Sequence, residues 1–434
     1  PAGAAGPADR RRVGRAWRQG DGAGAPAADT EEEEKTQGLL QVLLASQFPL
    51  FVGVGALIPI LPLYGQQFGL SASSVGLLIS SPSVAKLLLN VPMGRLADSE
   101  GRRLLMVIGM LVLALGDFGT GAAATLPLLI VARLITGAGL SITEAGTAAW
   151  IADTTERTPG LRASFLGVQT AAISSAFVLG PTLGGMAVDR FGMSSIFFMV
   201  AVGALLCAAG FATLPEARVK PEQAADPPGV LELLRDRDQQ ALAAISTAFY
   251  AGGACKLTVV PTIATQTFGA TPTEVGQLFS IFAAIGIAGT LVGGKVTEAL
   301  GPRAVLLGCG TICAAAFAGA SFAVAAGAKE AFVVSLGFWA AAGAAKSPAL
   351  QAYAMAVAPS DARGAALALP KTVGDLTFLV APFLLGSLAD SLGAAPALSF
   401  CAAAFATGTA LFAANAAASG AGADAAAPAA DGAG

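Results

Sequence analysis

Histidine is absent from this chain, and charge is scarce. Asp, Glu, Lys and Arg make up 12% of it, about half the share of an average soluble domain. With no imidazole, any proton relay has to run through carboxylates, and the commonest nitrogen ligand for a metal is missing. The five cysteines, Cys207, Cys255, Cys309, Cys313 and Cys401, all fall in apolar runs. Cys309 and Cys313 share a helical face, but two thiols with no histidine to complete the set make no metal site, so inert buried thiols are expected. No Asn-x-Ser/Thr acceptor occurs. A net charge of −3 offers no attraction to nucleic acid. There is no Gly-rich nucleotide loop, metal cluster or nucleophile–base arrangement, so neither an enzyme nor a cofactor is expected.

What the chain does have is apolar surface. Hydrophobic residues make up 55% of it, gathered in blocks near 40–62, 73–93, 103–122, 126–150, 164–188, 193–213, 240–262, 274–294, 304–326, 331–356, 366–388 and 395–415. A helix rising ~1.5 Å per residue crosses a ~30 Å hydrocarbon core in about 20 residues. Twelve transmembrane helices are therefore expected, in an all-α membrane protein. The polar, Pro-containing stretch "PEARVKPEQAADPPGVLELLRDRDQQ" divides them into two sets of six. The expected organisation is a disordered tail over 1–37, a six-helix bundle over 38–214, a cytoplasmic linker over 215–238, a second bundle over 239–415, and a disordered tail over 416–434. The tails are rich in Ala, Gly and Pro and cannot bury enough apolar surface to order themselves.

Lys and Arg set the orientation. With both termini cytoplasmic, 18 of the 25 basic residues fall in the cytoplasmic tail and loops, and only Arg190 and Lys329 on the opposite face. That bias orients an integral multi-pass protein. The membrane it occupies stays open. "RRRVGRAWRQG" has the basic character of an organelle-targeting segment, and the acidic run at 31–34 opposes that reading.

The two halves repeat each other. "GRLADSEGRR" over 94–103 shares a frame with the stretch starting at Gly294: Gly94, Asp98, Gly101 and Arg103 match Gly294, Glu298, Gly301 and Arg303. "GPTLGGMAVDRFG" (180–192) likewise lies against "APFLLGSLADSLG" (381–393), with Pro382 at the place of Pro181. A duplicated six-helix unit puts a substrate site between its halves near the bilayer midplane. In the repeated loop the glycines permit tight turns. Asp98 can accept from a helix N-terminus, and Arg102 and Arg103 can anchor to Asp153, Glu156 or lipid phosphate. This pattern fits a gate; the plainer alternative is positive charge that only fixes topology.

These loops, together with "LIVARLITGAG" (129–139) around Arg133, resemble the signatures of the major facilitator superfamily over residues 38–415. "GVGALIPILP", through Gly53, Pro59 and Pro62, resembles its twelve-helix drug:proton antiporter branch. So does helix 5, through Gly167, Gly180, Pro181, Gly184 and Gly185, with Ala176 where the pattern has glycine. The resemblance implies two pseudo-symmetric six-helix bundles, alternating access, and a hinge or seal at these glycines and prolines. Ordinary small-residue packing is the other reading of the same positions.

Eight charges lie inside the blocks, where each needs a partner or water. By depth along their helices, Asp117 matches Arg133, Lys86 matches Glu144, and Lys346 matches Asp375 with Lys371 one turn away. Lys256 has no evident partner and is a candidate for touching substrate. Arg133, Gly137, Leu140 and Glu144 share one helical face, a polar stripe suited to a cavity wall or proton route, or to a static set of salt bridges. Burial favours the neutral form of a carboxylate, which makes Glu144, Asp117 and Asp375, in that order, the candidate proton carriers. The expected function is export of a small organic molecule in exchange for protons, by a monomer in the lipid bilayer. Uniport or symport of a metabolite such as a sugar or organic anion is the alternative, favoured by five buried bases against three acids. A non-transporting receptor or scaffold is a third reading.

Overall fold

In hydrocarbon every backbone N–H and C=O must be paired within the chain, and an uninterrupted apolar run does this as a helix. The computed structural model describes residues 27–217, 230–358 and 363–418. Twelve long helices run through them: α1 (Ala27–Gln67), α2 (Ala72–Glu100), α3 (Arg102–Ala122), α4 (Leu126–Thr154), α5 (Pro159–Phe191), α6 (Ser194–Thr213), α7 (Arg237–Thr262), α8 (Pro272–Leu300), α9 (Pro302–Ala325), α10 (Lys329–Ala356), α11 (Arg363–Leu392) and α12 (Ala394–Ala418). A single helical turn spans Val230–Leu233, and a π-helical turn, Ile263–Thr267, ends α7. Eleven of the twelve are long and apolar enough to cross a membrane. In α10 the stretch Lys346, Ser347, Pro348 and Gln351 dilutes the apolar run.

Packing follows the repeat. In the first half α1 packs on α5 and α6, α2 on α4, and α3 on α4 and α6. In the second half α7 packs on α11 and α12, α8 on α10, and α9 on α10 and α12. Adding six to each helix number converts one set into the other. Each half has its own apolar core, one around Trp150, Phe197 and Phe211 and one around Phe317, Phe332 and Phe405. Two cores make two bodies that can move against each other without unpacking either. The halves meet mainly along α2 with α11 and α5 with α8, again a pair related by the repeat.

Turn chemistry is duplicated as well. Gly101 (φ 113) and Gly301 (φ 80) join α2 to α3 and α8 to α9. This left-handed region is strained for any residue with a Cβ, so the glycines of the repeated loop are required by the backbone. Ser71 and Thr271 cap α2 and α8, accepting from the backbone N–H of Ser74 and Glu274 at 3.3 and 3.2 Å.

Two expected boundaries shift. α1 begins at Ala27, inside the segment expected as tail. Its acids Glu31–Glu34 sit near a helix N-terminus, where the helix dipole favours them; Glu32 also pairs with Arg157 at 3.0 Å, and Thr36 is buried. α12 likewise runs to Ala418, past the expected end at 415. The remainder of the expected tails, 1–26 and 419–434, and linker residues 218–229 lie outside the described residues.

Candidate functional site

The two seams between the halves are built alike. Gly276 of α8 lies against the carbonyl of Pro181 on α5, and Gly76 of α2 against the carbonyl of Pro382 on α11. Further along, Gly185 abuts Pro272 and Thr273, and Gly386 abuts Ala72 and Ser73. A Cβ at any of these four glycines would run into backbone, so only glycine lets the helices come this close. At the end of each seam stands an aspartate. Asp390 accepts hydrogen bonds from the N–H groups of Ala72 (2.7 Å) and Ser73 (2.9 Å), and Asp189 accepts one from the Thr273 hydroxyl. Gln66 also donates to Thr262 at 3.0 Å, and the hydroxyls of Thr182 and Ser280 share a hydrogen bond at 2.8 Å. These contacts hold the halves together at the face remote from the termini.

Toward the terminal face the glycines of the same helices make no such contact: a Cβ added at Gly94, Gly167 or Gly294 would meet nothing within 4 Å. Beside the seams lies a cavity of about 440 Å³, a size that suits a drug-like molecule. The first half lines it with Gly55, Ile58, Ser174, Phe177 and Pro181. The second half contributes Phe249, Tyr250, Lys256, Phe282, Trp339, Lys346 and Phe378 among others. Along α8 the lining changes from buried Phe279 (1% exposed) to Ile287 (37%). The lining is thus more buried toward the seams and more exposed toward the termini.

The buried charges fall into three groups. Arg133 donates to Asp117 at 3.1 Å, the pairing expected from depth, but both are buried within the first half and neither lines the cavity. Lys86 pairs with Glu144 at 2.9 Å, again as depth implies. Lys371, however, reaches Glu144 at 3.5 Å instead of Asp375. The expected Lys346–Asp375 match does not form either. Lys346 stands over the rings of Phe249 (4.8 Å) and Tyr250 (5.4 Å), and Asp375 makes no ion pair among the described residues. Depth along a helix constrains height but not rotation, and these helices turn the side chains apart. The expected polar stripe on α4 is also interrupted: Gly137 is pressed against Pro82 of α2 instead of facing open space.

The pattern of the Major Facilitator Superfamily matches residues 43–376 and 242–429. The chain belongs to that superfamily. It is 32% identical over 189 residues to Multidrug resistance protein 1 of Bacillus subtilis (strain 168), a match covering 44% of this chain and 48% of that protein. It is 30% identical over 164 residues to the Quinolone resistance protein NorA of Staphylococcus aureus (strain MRSA252), covering 38% of this chain and 42% of that protein. The matched segments thus span about half the length of these relatives. The nucleoside transporter NupG shares the fold, with a TM-score of 0.75 at 14% identity over 87% of this chain and 99% of that one.

At the superfamily's first signature loop, Arg102 binds Asp153 at 3.0 Å and the Ala97 carbonyl. Glu216, just past α6, accepts from the backbone N–H groups of Arg102 (2.6 Å) and Arg103 (3.3 Å), capping the N-terminus of α3. Arg103 donates to the Leu214 carbonyl at 3.2 Å. The Asp98 side chain lies outside the described residues. In the second superfamily loop, Glu298 and Arg303 form no ion pair among the described residues, while the glycine turn is kept. Gly180 and Gly184 press on Ala56 of α1, and Gly53 on Val200 of α6; they pack the first half internally, and Pro59 and Pro62 lie within α1. Of the superfamily glycines on α5, only Gly185 touches the other half. Ala176 is fully buried against Gly55, which explains how a small residue other than glycine serves there. Glu216 belongs to no motif in the sequence, whereas Asp189 and Asp390 stand at equivalent places in the repeat of 180–192 and 381–393.

Proposed function

We propose that the protein is a secondary active transporter that moves a small organic molecule across a membrane by alternating access, in exchange for protons, with both termini cytoplasmic. The observation that carries this reading is the pair of repeat-related seams. They close one end of the cavity, while the glycines of the same helices toward the other end, Gly94, Gly167 and Gly294, have no close neighbour. Rocking one half on the other would open the seams at Gly76 and Gly276 and bring α2 toward α11 and α5 toward α8 at Gly94 and Gly294. Glu144 supports proton coupling. It is the carboxylate shared between a base of its own half, Lys86, and a base of the other, Lys371, so its protonation and the separation of the halves are linked. The drug-resistance names of the two relatives support efflux as the direction. Proteoliposome uptake under an imposed proton gradient tests the reading. Accumulation against the substrate gradient is expected, and equilibration without accumulation would instead make it a uniporter.

A second reading, uniport or symport of a metabolite such as an organic anion, is favoured by the two lysines that line the cavity. The receptor or scaffold reading has no such observation in its favour.

A further inference from the structure

The cavity is electrically lopsided. Lys256 reaches it from α7 and Lys346 from α10, both half-buried at the level of the apolar spans. Among the described residues neither makes an ion pair. Each ammonium rests on aromatic faces: Lys256 on Phe279 at 5.1 Å, Lys346 on Phe249 and Tyr250. A ring quadrupole offsets only part of the cost of holding a cation in a low-dielectric site. Among the described residues no carboxylate lines the cavity. The nearest acid in sequence to its wall is Asp375, next to Gly374, which abuts the Tyr250 ring; among the described residues it pairs with neither lysine. Two bases against one acid leave net positive charge that a ligand can neutralise. The remaining wall is aromatic and aliphatic, suited to a flat apolar body.

We infer that the cavity binds an organic anion, an acidic group on a flat aromatic body, with the acid between Lys256 and Lys346. The inference rests on the reading of this cavity as the transport site, and it names the cargo class. It also gives the halves separate tasks: Lys256 and Lys346 of the second half hold the cargo, while Glu144 of the first half holds the coupling charge.

The test uses the full chain in phosphatidylcholine nanodiscs with two permanently charged probes of matched shape, naphthalene-2-sulfonate and 2-naphthyltrimethylammonium. The sulfonate should bind more tightly than the ammonium by about tenfold or more, because only it pairs with the lysines. Lys256→Met and Lys346→Met should each weaken the sulfonate by a similar factor, and Lys→Arg at either position should retain most of it. Because the wild-type comparison needs no variant, misfolding of a variant cannot rescue or sink the proposal. Equal or tighter binding of the ammonium overturns it, as does undiminished sulfonate binding in the Lys256→Met/Lys346→Met double variant. Loss of the sulfonate when a third of the lipid is phosphatidylglycerol also overturns it, by assigning the lysines to lipid headgroups. In proteoliposomes, gradient-driven accumulation of the ammonium would sink the anion proposal and leave proton-coupled transport standing. Sulfonate binding without gradient-driven movement would do the reverse.

Discussion

Lys371 of α11 extends to 3.5 Å from Glu144 of α4, and the carboxylate it meets is already held by Lys86 at 2.9 Å. Among the described residues this is the ion pair that crosses from one half to the other. It is weak by construction: Lys371 is 70% exposed and Glu144 44%, and exposed pairs contribute about 0–1 kcal/mol. A weak crossing suits a part that must make and break during a cycle.

Glu144→Gln keeps the shape of the protonated acid and removes its charge. Gradient-driven accumulation should be lost while exchange of substrate across the membrane survives. Counterflow and uptake assays on the same proteoliposomes separate the two. Accumulation that persists in Glu144→Gln would move coupling to Asp117 or Asp375. Lys371→Met should change the balance between the two orientations by no more than about fivefold, the ceiling for so exposed a pair.

Asp390→Asn weakens the cap on the N-terminus of α2. Charge-assisted hydrogen bonds contribute about 1.5–3 kcal/mol and the neutral ones that Asn can keep about 0.5–1.5 kcal/mol, so a difference of about 1–1.5 kcal/mol should raise the population with the seams open by up to about tenfold. Distances between spin labels at Gln67 and Ser391 would report it. Asp189→Asn should act in the same direction, through Thr273 on the other seam. No change in either would mean that the glycine packing alone holds the seams.

Gly276→Leu places side-chain atoms against the Pro181 carbonyl and should stop the seam from closing, which abolishes turnover. Gly167→Leu meets no neighbour in this arrangement, so it should spare folding and substrate binding here. It should stop turnover only if α5 meets α8 at the terminal face in the opposite orientation. Wild-type turnover in Gly167→Leu would show that the halves do not close there.

Asp117 and Arg133 form a buried pair, and removing one partner strands the other charge. Asp117→Leu should cost about 3–5 kcal/mol, visible as a large fall in the unfolding temperature. The double variant Asp117→Leu/Arg133→Met should recover most of it. Transport that returns with stability would mark the pair as static structure; stability without transport would place it on the proton route.

Much was legible in the sequence because hydrocarbon imposes simple rules. Twelve apolar runs of membrane length require twelve helices, and two sets of matching glycines and acids require a duplicated unit. A buried charge needs a partner at its own depth, which was enough to pair Asp117 with Arg133 and Lys86 with Glu144. Depth says nothing about how far each helix is turned about its axis or where one half sits against the other. Those are set by packing between helices distant in sequence. Only the tertiary structure therefore gave Lys371 to Glu144, stood Lys346 over Phe249 and Tyr250, and brought Glu216 to the start of α3. The same holds for the glycines of α5. Their small size is local information, but only the packing decided that Gly180 serves the inside of one half and Gly185 the seam between the two.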